Sequence, residues 1–170
     1  MNFEEMVSKA NWEELEKMEQ AIKTRKIQLK PFAELKSLSN RAFGEGWSEP
    51  YIRAHVPNLE KNNGTGHDMR GRHYKNIEVK SSRLTFQGNW TMNQVHCDDA
   101  DAFLFVWYNC ENGTQEICFI PTEELIANCT RSRQHVREGK TCCTVGATIK
   151  NRKALRNYMV SSWEELNEKV

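Results

Sequence analysis

The run Ala102-Phe-Leu-Phe-Val-Trp-Tyr108 constrains the fold more than any other part of this 170-residue chain. Every position in it is apolar or aromatic, whereas a strand with one face in water alternates apolar and polar side chains. The run therefore predicts a central strand that is covered on both faces. A sheet with such a strand belongs to a mixed α/β or α+β domain, in which other layers pack on both sides.

Helices are predicted at both ends of the chain. Asn11 and Glu14 form a capping box, which predicts a helix over the first thirty residues. Pro31 should stop or restart that helix, and a second helix is expected over 31–43, ended by the glycines that follow. Another capping box, Ser162-Trp-Glu-Glu165, predicts a short helix at the end of the sequence.

The strands are predicted in the middle of the chain. Residues 47–66, with two prolines and an Asn/Gly-rich run, are expected to be irregular. Asn76–Lys80 alternates apolar and polar residues as a strand does. Asn112-Gly113 is the strongest hairpin signal, with Gln115–Ile120 as the returning strand and a helix from Pro121 onward.

The chain is predicted to work in the cytoplasm and away from membranes. No stretch reaches 18 apolar residues, and the sequence opens with acidic residues and no apolar signal segment. Six cysteines without CxxC spacing are therefore expected to be free, mostly buried thiols. An alternative is a zinc site, which would take its ligands from Cys129, His135, Cys142 and Cys143.

The net charge of +1 conceals a strong segregation of charge along the chain. Residues 61–83 contain six basic side chains against two acidic ones, and residues 131–156 contain eight against one. Residues 94–124 contain seven acids and no Lys or Arg. A polyanion would be attracted to the basic blocks if they share one face, although such runs also occur on ordinary solvated surfaces.

One group of residues has the chemistry of a catalytic site. Glu78 and Lys80 project from the same face of a predicted strand, about 6–7 Å apart at their Cα atoms. A turn around Gly71 would bring Asp68 in from the neighbouring strand. Two carboxylates suit Mg²⁺, with Mn²⁺ as a substitute, and the ammonium would stabilise negative charge on a phosphate. The competing interpretation is a plain ion pair between Glu78 and Lys80 on a solvated strand.

These residues resemble a known family. Gly66-His67-Asp68 followed by Ile77-Glu78-Val79-Lys80-Ser81-Ser82 is similar to the motif of the PD-(D/E)xK nuclease superfamily, best known from type II restriction endonucleases. His67 stands where that family usually has proline. The resemblance implies a restriction-endonuclease-like fold, which is a mixed central sheet flanked by helices. It also implies that Asp68, Glu78 and Lys80 are catalytic and that both carboxylates bind the metal.

The resemblance assigns roles to further residues. The main-chain carbonyl of Val79 would join the metal ligands, and Gln94 would lie in the site on a helix after the catalytic strand. Asp99–Val106 would be the next hydrophobic strand of the family pattern. The family often adds a glutamate from the preceding helix, for which Glu34 and Glu45 are both candidates.

The whole chain, 1–170, is interpreted as a single nuclease domain. Its parts are N-terminal helices at 1–46, a catalytic core at 60–108, and a hairpin, basic segment and C-terminal helix at 109–170. Apolar residues of the first helix recur at a coiled-coil-like spacing, namely Leu15, Met18, Ile22 and Leu29. This helix would either pack on the core or form a homodimer, the arrangement that suits a palindromic DNA site.

Candidate DNA contacts fall into three groups. Beside the site, phosphate contacts are expected from Arg70, Arg72 and His73. After the catalytic strand, side chains that hydrogen-bond base edges are Ser81, Ser82, Arg83, Gln87 and Asn89. In the second basic block, phosphate contacts are expected from Arg131, Arg133, Lys150, Arg152 and Lys153.

The sequence thus predicts an Mg²⁺-dependent endodeoxyribonuclease that hydrolyses double-stranded DNA, most plainly a type II site-specific restriction endonuclease. One alternative keeps the chemistry and changes the substrate, as in a Holliday-junction resolvase or a DNA-repair nuclease. The other alternative is a nucleic-acid-binding protein without catalytic activity.

Overall fold

The computed structural model describes residues 3–63, 67–83, 91–137, 139–146 and 148–170. Its α-helices are α1 (Phe3–Lys9), α2 (Trp12–Glu34), α3 (Asn40–Phe43), α4 (Glu49–His55), α5 (Thr122–Asn128), α6 (Ile149–Leu155) and α7 (Trp163–Lys169). A 3₁₀ turn over Leu35–Ser37 follows α2, a π-helical turn over Gly44–Ser48 joins α3 to α4, and a second 3₁₀ turn over Arg156–Tyr158 follows α6.

In the described residues, nine strands form two sheets. They are β1 (Glu60–Lys61), β2 (Met69–Arg70), β3 (Ile77–Arg83), β4 (Met92–His96), β5 (Ala102–Asn109), β6 (Thr114–Pro121), β7 (Arg131–Arg137), β8 (Lys140–Val145) and β9 (Met159–Val160). The large sheet has the order β1-β2-β3-β5-β6-β9, and the small sheet has the order β4-β8-β7. Within the large sheet only β3 and β5 are parallel, so the predicted mixed sheet is confirmed.

The central strand β5 lies between two hydrophobic layers. Its side chains from Ala102 to Tyr108 are completely buried, as their unbroken apolar pattern predicts. Leu104, Val106 and Tyr108 face the layer that includes Phe32 and Ile52 from the N-terminal helices. The alternate side chains, Phe103, Phe105 and Trp107, face the layer formed by the small sheet, α5 and α6. The β5–β6 hairpin turns at Gly113, whose φ of 68° is available to glycine at little cost.

The N-terminal helices differ from the prediction. The Asn11–Glu14 capping box is present in both directions, with Asn11 N donating to Glu14 Oε2 at 2.9 Å and Glu14 N donating to Asn11 Oδ1 at 3.1 Å. However, α2 continues through position 31 to Glu34, so the expected break at Pro31 was wrong. Phe32 and Leu35 are buried in the core, and this burial favours a continued helix over the hydrogen bond that proline removes.

The glycines after Phe43 do not end the helical region. Gly44–Ser48 forms a π-helical turn that leads directly into α4, so the irregular structure expected from residue 47 was wrong as far as His55. Pro50 lies in the first turn of α4, where a missing N–H is not needed. Ser48 and Ile52 are completely buried, and this packing holds the turn in place.

The first half of α2 is not laid on the core. Trp12 is 77% exposed and Ile22 is 40% exposed, while Leu15 and Met18 are half-buried. The side chain of Leu29 lies outside the described residues. Among the helices that the structure describes, none is long and apolar enough to span a membrane.

Candidate active site

The turn between β2 and β3 brings Asp68 beside β3. Met69 pairs with Ile77 in an antiparallel register, so Asp68, one residue earlier, lies next to Glu78 and Val79. Its Oδ2 accepts a hydrogen bond of 2.7 Å from Val79 N. The arrangement is the one that the sequence predicts from a turn around Gly71.

Glu78 and Lys80 project from the same face of β3 and contact each other. Lys80 Nζ donates to Glu78 Oε1 at 2.6 Å, and both side chains are largely buried. An ion pair on a solvated strand, the competing interpretation, does not describe a glutamate that is only 8% exposed. His67 lies behind this pair, with its Nδ1 3.5 Å from Glu78 Oε2 and its Nε2 3.6 Å from Asp99 Oδ2.

The negative charge of Glu78 is close enough to influence the protonation of Asp68. The pKa of Asp68 is raised to about 6, chiefly by burial and then by the charge of Glu78. The Val79 amide, Lys80 and His67 act in the opposite direction and lower that pKa. The site therefore concentrates negative charge that a cation would stabilise.

Glu49 is a third carboxylate at this site, and sequence reasoning missed it. It is the first residue of α4, and its side chain is only 15% exposed. The pKa of Glu49 is raised to about 7, chiefly by burial and then by repulsion from Asp68. The guanidinium of Arg53, 3.9 Å away, acts in the opposite direction. The available signal was Pro50, which is typical of a first helical turn and marks the glutamate before it as a helix start.

The two upstream glutamates named from the sequence lie farther from the carboxylate pair. Glu45 is exposed and bonds Arg41, with 3.2 Å between Arg41 Nε and Glu45 Oε2. Glu34 is an exposed residue at the end of α2. Glu45 also lines the cleft described below, whereas Glu34 does not.

A cleft of about 910 Å³ opens over these residues. Its floor is the outer half of β3, where β2 no longer pairs with the strand. One wall is the helical segment from Asn40 to Glu49, and the other is the start of the small sheet. The lining residues that matter most here are Glu49, Asp68, Val79, Lys80, Asn93 and Gln94.

Buried hydroxyl groups fix the helical wall to the floor. Ser48, in the π-helical turn, shares hydrogen bonds with Ser81 of β3 and with the hydroxyl of Tyr108 of β5, the latter at 3.0 Å. Burial raises the pKa of Tyr108 well above its usual range, so its hydroxyl remains protonated. Glu49 therefore directly follows in sequence a residue that is hydrogen-bonded to β3.

Arg83 forms a second link between the same elements. Its Nη1 donates to the main-chain oxygens of Leu35 and Leu38, both at 2.8 Å, and its Nη2 donates to Asn40 Oδ1. The guanidinium also stacks over the ring of Phe43 at 5.0 Å. Arg83, a predicted base contact, is thus bonded to the protein's own helical wall.

Gln94 lines the cleft but not on a helix. It lies on β4, so the helical placement implied by the family pattern was wrong. Its backbone has φ of 55° at a bulge between Met92 and Val95. The buried side chains of those two flanking residues hold β4 against the core as a strand.

The predicted phosphate contacts beside the site are exposed but partly bonded within the protein. Arg70 makes two hydrogen bonds to Glu60 Oε2, at 2.6 and 3.0 Å. The main-chain amides of Arg72 and His73 donate to Val170 O. Ser82 is half-buried and lines the cleft.

The remaining candidates lie elsewhere or outside the described part. Gln87 and Asn89 fall outside the described residues. Arg131 is half-buried and Arg133 is exposed, both on β7. The exposed basic residues of α6 are Lys150, Arg152 and Lys153, and this helix packs with the small sheet rather than with the helical wall.

The cysteines are free thiols, as predicted, and Cys97 alone among them is not buried. Within the described ranges, no group of three or more His, Cys, Asp or Glu side chains is placed to hold a metal, so the alternative zinc site is not formed. The Cys143 thiol bonds Cys97 and lowers the pKa of Cys97 to about 7, helped by Arg131.

The oxygen donors at the cleft nevertheless fit a hard cation. Mg²⁺ binds through one or two carboxylates and completes its shell with waters and substrate phosphate, so it does not require a cage of three side chains. Asp68 and Glu78 are mutually repelling carboxylates, and Glu49 adds a third charge that acts on Asp68.

Comparison with known proteins adds no family to this description. No family model matches the chain, and no curated protein matches it.

Proposed function

We propose that this protein is a metal-dependent endodeoxyribonuclease that hydrolyses phosphodiester bonds in double-stranded DNA. The observation that carries the proposal is the convergence of Asp68, Glu78 and Lys80 on one edge of β3, where Asp68 and Lys80 line an open cleft and the buried Glu78 bonds Lys80. This convergence agrees with the resemblance to the PD-(D/E)xK nucleases, which rests on the same residues.

Each group has a role that follows from its position. Asp68, Glu78 and the carbonyl of Val79 would hold Mg²⁺, and Glu49 would bind a second water or ion on the helical side. The metal supplies a Lewis acid for the phosphate and a bound water of lowered pKa. Lys80, which is held by Glu78 at 2.6 Å, is placed to stabilise the negative charge that develops on the phosphate.

The raised pKa values of the carboxylates support a site that binds a cation. Asp68 with a pKa of about 6 and Glu49 with a pKa of about 7 are both partly protonated near neutrality in the absence of metal. Because a ligating carboxylate must be deprotonated, cation binding would release protons from this cluster. Burial of these groups beside the cleft, instead of full exposure to water, is typical of functional sites.

Within this activity we favour a type II restriction endonuclease. A compact domain of 170 residues suits an enzyme that reads a short site. A palindromic site would be matched by a two-fold dimer, and the exposed apolar side chains of α2 are the surface available for it.

The proposal is tested by digestion of unmethylated phage DNA with Mg²⁺ or with EDTA. Wild-type protein should produce discrete bands only with Mg²⁺. Asp68→Ala, Glu78→Ala and Lys80→Ala should each abolish the bands while DNA binding in EDTA persists. Glu123→Gln, at an exposed position of α5, is the matched control and should cut as wild type does.

Other outcomes separate the alternatives. Cleavage restricted to four-way junctions would identify a resolvase, and cleavage without discrete bands would favour a repair nuclease. Salt-sensitive DNA binding with no cleavage under any metal would indicate a binding protein. If Glu78→Ala cut at the wild-type rate, the site assignment would be wrong.

A further inference from the structure

The small sheet has one buried face and one polar face. The buried side chains pack against the central strand and are Met92, Val95, Cys143 and Val145. On the other face, Thr144 Oγ1 donates to Asn93 Oδ1 at 3.2 Å, and Ser132 Oγ donates to Thr144 O at 3.3 Å. Since Asn93 lines the cleft, this polar face continues the cleft wall outward across all three strands.

Both outer strands of the small sheet carry a one-residue bulge at the same level. In β4 the bulge lies between Met92 and Val95, and in β7 it lies between Ser132 and His135. Each bulge faces the same stretch of β8, where Cys143 and Thr144 lie. Bulges re-aim side chains and are over-represented beside active sites.

Each bulge contains a non-glycine residue in the left-handed region. These are Gln94, with φ of 55°, and Arg133, with φ of 52°, and they are the only such residues in the described part of the chain. Side chains that are not glycine, asparagine or aspartate rarely adopt this conformation. Its occurrence at paired positions on either side of β8 indicates that the fold orients these two long polar side chains.

Strand β7 is the outer edge of the small sheet and is exposed in its middle. Every residue from Ser132 to Val136 is exposed, and Val136 is 72% exposed. The strand Arg131–Arg137 contains three arginines and a histidine and no acidic residue. An exposed basic edge with no acid of its own is complementary to a polyanion.

The dimensions fit a nucleic-acid groove. Neighbouring strands lie about 4.7–4.9 Å apart, so β7 is roughly 10 Å from the cleft wall at β4. The major groove of B-DNA is about 12 Å wide and admits a two-stranded ribbon. A duplex with one backbone in the cleft would therefore bring its groove to β7 and β8.

We infer that the β7 edge of the small sheet enters the major groove of the DNA and that Arg133 and Gln134 contact base edges there. Gln134 would exchange the 3.3 Å hydrogen bond that its Nε2 donates to Arg131 O for one to a base. This assignment rests on the proposed function for its partner, duplex DNA, and it gives Arg133 a sequence-reading role in place of the phosphate contact expected from sequence. Arginine pairs with guanine and glutamine with adenine in that groove through two hydrogen bonds each.

The experiment selects DNA from a pool of duplexes with a random central segment, in EDTA, and sequences the bound fraction. The variants are Arg133→Gly, which keeps the left-handed backbone, and Gln134→Ala. The control is Lys17→Ala, which removes one positive charge from α2, where Lys17 Nζ bonds Glu13 Oε1 at 2.7 Å. Circular dichroism verifies that all three variants remain folded.

Wild type and Lys17→Ala should select the same motif. Each β7 variant should lose preference at one or two positions of it, by about tenfold for the favoured base, and keep the rest. The base-reading assignment is overturned if the variants select the unchanged motif. It is also overturned if they weaken binding equally for all sequences and Arg133→Gly reduces the salt dependence by about one ion.

Two results separate this inference from the nuclease proposal. A wild-type protein that selects a motif in EDTA but never cuts DNA with Mg²⁺ would remove the proposed activity and leave the reading role of β7 standing. A wild-type protein that cuts DNA with Mg²⁺ but selects no motif would do the reverse.

Discussion

The two sheets of this protein differ in how regularly their strands pair and in how deeply their side chains are buried. The large sheet has a central strand, β5, whose side chains from Ala102 to Tyr108 are all fully buried, and its β5–β6 pairing is regular over eight residue pairs. The small sheet has a bulge in each outer strand, and its edge strand is exposed from Ser132 to Val136. Regular, buried strands hold a few groups rigidly, whereas bulged, exposed strands present side chains outward.

This difference separates the residues of the proposed metal site from the residues assigned to base reading. The carboxylates and the lysine of the proposed site lie on or beside β3, which pairs with β5 along its full length. The side chains assigned to base reading lie on the edge strand β7, none of whose described side chains is buried. Changes in the large sheet should therefore cost stability and cleavage, and changes in the small sheet should alter selection with little loss of stability.

The largest expected effect is on folding. Phe105→Ala removes a fully buried ring from the second core layer and should lower the free energy of unfolding by about 3–5 kcal/mol. Val136→Ala, on the exposed edge strand, should change it by less than about 0.5 kcal/mol. Urea unfolding followed by circular dichroism measures both, and equal losses would contradict the contrast between the sheets.

The next effect concerns the carboxylate on the helical wall. Glu49→Gln removes a charge that acts directly on Asp68, and it should reduce Mg²⁺-dependent cleavage about 10–100-fold. Glu45→Gln, at an exposed position of the same wall, should have a much smaller effect. Initial rates of plasmid cleavage compare the two variants. A larger loss for Glu45→Gln would indicate that Glu45, the candidate named from the sequence, is the additional glutamate of the site.

A smaller effect is expected from pH. Asp68 and Glu49 have pKa values raised to about 6 and about 7, from unfolded values of 3.8 and 4.5. The folded state then holds more protons than the unfolded state between about pH 4 and pH 7, so stability falls as pH rises through that range. Unfolding measured at pH 4 and pH 8 should show this fall, and it should be smaller in Asp68→Asn.

Added Mg²⁺ provides the complementary measurement. If the cation binds the deprotonated carboxylates, it should raise the melting temperature of wild type at pH 8 and have little effect on Asp68→Asn. The same rise in both proteins would place metal binding elsewhere.

The smallest effect is at the bulge of the small sheet. Arg133 has φ of 52°, which glycine adopts without strain. Arg133→Gly should therefore leave stability unchanged or raise it by up to about 1 kcal/mol, even though it removes a side chain assigned to DNA. Thermal unfolding measures this, and a clear loss of stability would show that the arginine side chain supports the fold.

The sequence predicted the parts of the fold that local patterns determine. The central strand, the Asn112-Gly113 hairpin and the capping box at Asn11 all depend on neighbouring residues, and all three are present. The meeting of Asp68 with Glu78 was also predictable, because one short turn connects their strands.

The rest depends on contacts between distant segments. Helix α2 passes Pro31 because Phe32 and Leu35 enter a core built from later strands. Glu49 reaches Asp68 only because a π-helical turn directs α4 to β3, and no spacing in the sequence encodes that approach. Gln94 lies on a strand because β4, which contains it, pairs with β8, almost fifty residues later in the sequence.

The hydroxyl chain in which Ser48 bonds both Ser81 and Tyr108 limits how the cleft can move. Because it bonds the helical wall directly to two strands of the large sheet, the carboxylates on either side cannot separate without exposing buried polar atoms. The groups of the proposed site are thus preassembled before any ligand arrives. If the ligand is the proposed duplex, adjustment to its shape must come from the opposite wall, where the strands are bulged and free at one edge.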